Sequence, residues 1–190
     1  MDILSSMFFL YYRLKLSRKT MLNKITNLIR TVYQNYFELT CFISSSLIIL
    51  LAILMDHYLG LEACPMCIMS RYAFGLIAFW SLLGFLLKKI NILTKVFTLI
   101  SAIGGVAITA KQVYLQNLSP EEVADLAAGC GMPLSTQIDY FGFFGGIANA
   151  YKGGPTCAEE NWRFILNFAE WGLVFFILYS IFNLKKLINI

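Results

Sequence analysis

The sequence predicts an all-α membrane protein: a bundle of four transmembrane helices with a long outer loop between the third and fourth helices. Of its 190 residues, 58% are hydrophobic and only 14% are charged, whereas ordinary soluble domains carry about 25% charged residues. The apolar residues fall in four runs of about 20 residues, enough for a helix to cross a ~30 Å hydrocarbon layer. Because lipid offers the backbone no hydrogen bonds, each run is expected to be helical. None has the regularly spaced polar face of a soluble bundle.

The four predicted spans divide the chain into a membrane domain and two tails. The spans are expected at about residues 36–58, 68–87, 94–115 and 162–182. They define a membrane domain of residues 36–183. A basic amino-terminal tail, residues 1–35, precedes this domain, and a short tail, residues 184–190, follows it. The first tail lacks the order of basic residues, apolar stretch and small-residue cleavage site that is typical of a secretory signal.

Lysine and arginine residues predict the orientation. Six of them precede the first span, three lie around residues 88–95, and two follow the fourth span. The positive-inside rule therefore places both termini and the 88–95 loop in the cytoplasm. The short loop before the second span and the long loop 116–161 are then on the outer side. This distribution accounts for the net charge of +4 without a nucleic-acid partner.

The five cysteines divide between the lipid and the outer side. Cys41 falls inside the first span and is expected to be a small packing residue. Cys64, Cys67, Cys130 and Cys157 all lie outside, as in proteins that use disulfides in an oxidising compartment. The preferred pairing is Cys64–Cys67 with Cys130–Cys157, the latter closing a loop worth about 3.5 kcal/mol in the chain-entropy model. Passive staples and a four-cysteine zinc site are alternatives, although the second pair lacks C-x-x-C spacing.

Cys67 is predicted to be the reactive member of the C-x-x-C pair. Pro65 favours the first turn of a helix, which places Cys64 near the N-cap and Cys67 in the first turn. Free N–H groups and a nearby arginine stabilise a thiolate there. Arg71 is four residues after Cys67 and shares its helix face. It is expected to hold a polar oxygen of a lipid-soluble ligand such as a quinone head group, or else to snorkel to the interface.

The long loop contains a second helix signal. Ser119 is predicted as the N-cap, Pro120 as the first helical residue, Glu122 as the partner in a capping box, and Gly129 as the end of the helix. This short helix would deliver Cys130 to an open position. The aromatic and glycine-rich segment 140–147 is expected either at the membrane surface or as a buried loop cluster.

Polar and small residues within the predicted spans carry further expectations. Glu170 is predicted as an intramembrane carboxylate that pairs with Lys111, serves as a proton route, or is a neutral acid bonded between helices. Ser101 and Gly105 form a small-x-x-x-small pair suited to close helix packing.

Two cysteine motifs in this order resemble those of the DsbB family, bacterial inner-membrane oxidoreductases that re-oxidise the periplasmic thiol oxidase DsbA with quinone. The resemblance covers about Tyr36 to the end of the fourth span, with Cys130 between the motifs. The motifs are Cys64-Pro65-Met66-Cys67-Ile68-Met69-Ser70-Arg71 and Cys157-Ala158-Glu159-Glu160-Asn161-Trp162.

The resemblance implies a role for each site residue. Cys130 would be attacked by a reduced, periplasmic DsbA-like partner of thioredoxin fold, and Cys157 would pass the electrons to Cys64. Cys67 would face the quinone, either ubiquinone or menaquinone, and Arg71 would contact it. The driving force would come from the quinone, since DsbA is itself a strong oxidant with a reduction potential of about −120 mV.

One departure and two alternatives accompany this resemblance. The family often has a histidine toward the outer end of the third span, where this chain has Lys111-Gln112. A protein similar to vitamin K epoxide reductase would also use a membrane C-x-x-C, but there the loop pair precedes the membrane pair. A non-enzymatic four-helix protein with structural disulfides or zinc is the alternative from another class.

Overall fold

The computed structural model describes residues 23–24, 27, 31, 36–60, 63–87, 90–125, 132–158 and 163–188. The chain divides into two compact units, residues 1–40 and 41–190. Most of the predicted amino-terminal tail lies outside the described residues, so its boundary and location stay predictions.

Four long helices are each long and apolar enough to cross a membrane. They are α1 (Phe37–Leu59), α2 (Pro65–Leu86), α3 (Asn91–Gln116) and α7 (Phe168–Ile188). Between α3 and α7 the described residues form three shorter helices: α4 (Pro120–Asp125), α5 (Leu134–Lys152) and α6 (Pro155–Ala158). No β-strand occurs within the described ranges, apart from one isolated bridge. The predicted all-α membrane bundle with its long loop is confirmed.

The fourth membrane helix begins six residues later than predicted, because a capping box sets its start. The Glu170 N–H donates to Asn167 Oδ1 at 2.8 Å, and the Asn167 N–H donates back to Glu170 Oε2 at 2.8 Å. Arg163 Nη2 lies 3.8 Å from Glu170 Oε1. The expectation of a Glu170–Lys111 pair is therefore wrong, whereas the proton-route and neutral-acid alternatives for Glu170 stay predictions. Lys111 instead lies over the ring of Tyr114, 5.0 Å from its centroid.

Helix α3 packs closely against both α2 and α7. A Cβ atom at Gly105 would overlap the ring of Phe176, a fully buried residue of α7. The Phe176 ring stacks in turn on Phe74 of α2, with centroids 4.0 Å apart. The expected close helix packing at Gly105 is confirmed, and this contact joins three of the four long helices.

The first half of the long loop follows its predicted cap. Ser119 donates to Glu122 Oε2 from its backbone N–H at 2.9 Å and from its hydroxyl at 2.8 Å. These two hydrogen bonds hold the pKa of Glu122 below its usual value. Residues 126–131, which include the predicted stop at Gly129 and the loop cysteine Cys130, lie outside the described residues.

Helix α5 is a helical hairpin that reverses at Gly142, where φ is +72°. The two halves approach so closely that a Cβ at Gly146 would lie 2.7 Å from the Ile138 backbone. Aromatic side chains around the bend are exposed, with Tyr140 at 76% and Phe144 at 85%. The alternative of a buried aromatic cluster is therefore wrong, and contact with the membrane surface stays a prediction.

We expect Gly105→Ala to destabilise the bundle, because the added methyl group must displace the Phe176 ring. Overpacking of this kind costs about 1–3 kcal/mol, which should lower the melting temperature of the detergent-solubilised protein by several degrees. Gly104→Ala is the matched control, since nothing lies within 4 Å of a Cβ there. Equal melting temperatures for the two variants would contradict the packing described.

Candidate active site

The amino-terminal end of α2 positions the C-x-x-C pair as the sequence predicts. Cys64 is the N-cap, with φ −62° and ψ 157°, and Pro65 opens the helix. The Cys67 N–H donates to Cys64 Sγ at 3.2 Å. The Cys64 thiol donates to Cys67 Sγ across 2.9 Å, a hydrogen-bonded contact between two unlinked sulfurs. The Cys64–Cys67 disulfide stays a prediction.

Cys157 of the long loop lies against this pair. It is 1% exposed and packs in one buried cluster with Cys64 and Leu115, within hydrogen-bonding contact of the Cys64 thiol. The approach depends on Gly153, whose φ of +82° favours glycine. A Cβ at Gly153 would also overlap the Leu115 side chain of α3. The turn before α6 thus brings a third sulfur to the membrane pair.

Hydrogen bonds shift the pKa values of Cys64 and Cys157 in opposite directions. The Cys64 thiol lowers the pKa of Cys157 to about 6, and the backbone N–H groups of Met66 and Gly154 assist. The pKa of Cys64 is raised, first by its hydrogen bond to Cys157, then by the one to Cys67 and by burial. Ionisation of Cys157 is therefore favoured over ionisation of Cys64.

An apolar cavity of about 390 Å³ opens beside Cys67. Helices α1, α2, α3 and α7 all contribute to its wall. Apolar side chains such as Ile49, Phe74 and Phe175 form most of the surface. Because few polar groups line it, each of them is a candidate for orienting a ligand.

Arg71 reaches this cavity from α2 and pairs with Asp56 of α1. Arg71 Nη1 lies 2.6 Å from Asp56 Oδ2, and each side chain is 24% exposed. The sequence places Asp56 at the end of the first span without identifying it as the partner of Arg71. The cost of an unpaired cation at the membrane boundary was the available signal. The ion pair gives Arg71 a partner on α1, and its roles in holding a ligand oxygen or snorkelling to the interface stay predictions.

Gln112 is the other polar side chain that the structure brings to the cysteine pair. Its Nε2 lies 3.1 Å from Cys67 Sγ and 3.5 Å from Cys64 Sγ, and the side chain is 3% exposed. From sequence, Gln112 stood out only as a departure from the family histidine. One helix turn later, Gln116 Oε1 accepts from Asn167 Nδ2 at 3.0 Å and ties α3 to α7.

Two further cysteines, Cys130 and Cys41, also carry predictions from the sequence. Cys130 lies outside the described residues, so its disulfide with Cys157 and its role toward a partner stay predictions. Cys41 is buried in α1, as expected of a packing residue.

Three sulfurs in contact at the end of a bundle of apolar helices define a class of protein, the membrane thiol–disulfide oxidoreductases. The family model of disulfide bond formation protein DsbB matches residues 34–185. The chain therefore belongs to the DsbB family.

Individual relatives agree with the family match. The chain is similar to disulfide bond formation protein B of Marinobacter nauticus, with 34% identity over 70% of this chain and 79% of the relative. The protein of the same name from Azoarcus sp. is 32% identical over 64% and 73%. That of Xanthomonas axonopodis pv. citri is 33% identical over 71% and 83%.

Family membership and the four apolar helices together make the chain a multi-pass membrane oxidoreductase of disulfide bond formation. They do not support the alternative of a non-enzymatic membrane protein with staples or a zinc site.

We expect Cys157 in the fully reduced protein to change from an unreactive thiol to a reactive thiolate as pH rises through about 6. The midpoint can be read from the pH dependence of Cys157 alkylation, followed by mass spectrometry. Cys64→Ala removes the main hydrogen-bond donor and should raise this midpoint toward the ordinary thiol value of about 8.5. Cys67→Ala retains the donor and should not raise it; equal midpoints in both variants would contradict the assignment.

Proposed function

We propose that this protein re-oxidises a periplasmic DsbA-like thiol oxidase and passes the electrons to a membrane quinone. The observation that carries the proposal is the contact between Cys157 and Cys64, with Cys67 lining an apolar cavity. The loop cysteine thus contacts the membrane cysteine pair, and that pair borders the apolar cavity.

The first half of the relay takes place in the loop. A partner thiolate attacks Cys130 of the Cys130–Cys157 disulfide, forms a mixed disulfide and expels Cys157 as a thiolate. The backbone N–H groups of Met66 and Gly154 lie within hydrogen-bonding contact of Cys157 and stabilise its thiolate. These donors remain when Cys64 is in its disulfide, and they make Cys157 a better leaving group. The second partner thiol then releases the partner as a disulfide and leaves Cys130 reduced. The role of Cys130 is carried over from the family motif.

The second half transfers the electron pair to the membrane cysteines. The Cys157 thiolate attacks Cys64 of the oxidised Cys64–Cys67 pair, and Cys67 leaves as a thiolate. Attack by Cys130 on Cys157 then restores the loop disulfide and leaves Cys64 and Cys67 reduced. The contact between Cys157 and Cys64 favours the first of these exchanges, since each exchange requires a thiolate within reach of the sulfur it attacks.

The cavity suits a quinone head group. Its volume of about 390 Å³ lies within the usual range for small-molecule sites, and its apolar walls suit a lipid-soluble ring. Arg71 would hold a carbonyl oxygen, since a guanidinium has five N–H donors and Asp56 is paired through Nη1. When bound, a ubiquinone or menaquinone supplies the two-electron acceptor that returns the Cys64–Cys67 pair to its disulfide.

The proposed setting is the bacterial inner membrane, with both termini cytoplasmic and the redox cysteines periplasmic. The distribution of lysine and arginine supports this orientation. It also puts α4, α5 and α6 on the side where a periplasmic partner would meet them.

Cys157→Ala should trap the partner. With Cys157 absent, the Cys130 thiolate attacks the disulfide of the oxidised partner, and the partner's second sulfur leaves as a thiolate. The relay cannot carry this mixed disulfide further, so a covalent adduct between Cys130 and a periplasmic thioredoxin-like protein should accumulate on non-reducing gels. Cys130→Ala/Cys157→Ala is the control and should give no adduct. Absence of an adduct from folded, membrane-inserted Cys157→Ala protein would contradict the partner assignment.

Cys67→Ser should insert normally but stop quinone reduction, because the sulfur beside the cavity is lost. Quinone absorbance with reduced partner as electron donor measures the rate. Cys41→Ala, which alters a cysteine in α1, should keep most of the turnover. Turnover by Cys67→Ser at the unaltered rate would exclude Cys67 as the electron donor to the quinone.

A further inference from the structure

The side-chain amide of Gln112 is a buried hydrogen-bond donor beside Cys64 and Cys67, whose disulfide is broken in the proposed relay. It lies within the membrane-spanning part of α3, where an unsatisfied polar group is costly. Its Nε2 is nearer to Cys67 Sγ, at 3.1 Å, than to Cys64 Sγ, at 3.5 Å. The donor is therefore directed mainly at the sulfur that faces the cavity.

The value of this contact depends on the charge of the sulfur. A neutral thiol is a weak hydrogen-bond acceptor, whereas hydrogen bonds to ionised groups are roughly twice as strong as neutral ones. The Gln112 amide thus stabilises Cys67 most when that residue is a thiolate. An interaction that strengthens as charge develops accelerates the step that produces the charge.

Such a step occurs in the relay. When the Cys157 thiolate attacks Cys64, a Cys64–Cys157 bond forms and the Cys64–Cys67 bond breaks. The electron pair of the broken bond leaves on Cys67 Sγ, and no proton is transferred. The Gln112 N–H already points at this leaving atom.

We infer that Gln112 is a catalytic residue of this protein: its side-chain amide stabilises the Cys67 thiolate expelled during exchange with Cys157. The inference rests on the proposed relay and adds an uncharged hydrogen-bond donor directly at Cys67 Sγ. Since an amide does not titrate in the physiological range, the donor itself is present at every working pH.

The reduction potential of the Cys64–Cys67 pair tests this role without partner or quinone. In a Cys130→Ser/Cys157→Ser background, the pair is equilibrated with glutathione, and its oxidised fraction is measured by alkylation and mass spectrometry. Gln112→Met keeps the side-chain length but removes the donor. It should shift the equilibrium toward the disulfide about tenfold or more, as expected for one hydrogen bond to a charged group.

Two further variants separate this effect from a loss of packing. Gln112→Glu places a carboxyl group beside Cys67 and should shift the equilibrium in the same direction at neutral pH. Gln116→Met removes an amide from the same helix, one that accepts a hydrogen bond from Asn167, and should leave the equilibrium unchanged. Melting temperatures of all the variants identify any that fail to fold.

An unchanged equilibrium in folded Gln112→Met would overturn the inference, and so would an equal shift in Gln116→Met. Failure of the proposed function has a different signature. If no partner adduct forms or no quinone is reduced, the Gln112-dependent shift in the isolated pair would still be observed.

Discussion

Thiolate chemistry at the edge of an apolar layer is the constraint on which this structure depends. Disulfide exchange requires a negative sulfur, and a hydrocarbon environment opposes charge. The amino-terminal end of α2 resolves the conflict, because its first N–H groups lack intrahelical partners and carry partial positive charge. Cys64 occupies the N-cap and Cys67 the first turn, so the reactive pair sits where a membrane helix tolerates an anion best.

Helix α3 connects the architecture to this chemistry. Near its middle, Gly105 lets the Phe176 ring approach and so holds α7 close. Near its carboxyl end, Leu115 packs with the cysteines while Gln112 donates to them. A change in how α3 packs would therefore move the donor relative to the sulfurs. The same packing that stabilises the bundle thus sets the geometry of the site.

Local signals in the chain predicted a large part of the fold and the reactive half of the site. Apolar run lengths identified the four spans. Proline and cysteine identities placed the start of α2, and Ser119 with Glu122 placed the start of α4. The two helix-start signals involve residues within about four positions of one another, where helix geometry fixes the contacts. The start of α7 was missed because the fourth span was placed from the length of the apolar run. The Asn167–Glu170 capping box sets where the helix begins.

The sequence by itself determined the membrane class, the number of spans and the position of the Cys64–Cys67 pair at a helix end. Only the tertiary structure decided that Cys157 lies on Cys64, that Asp56 pairs with Arg71, and that Gln112 reaches Cys67. These partners are on different elements, and their contacts depend on how helices pack and rotate against one another. Hydropathy and spacing contain little of that information, because an apolar helix surface permits many packing arrangements and side-chain complementarity selects one.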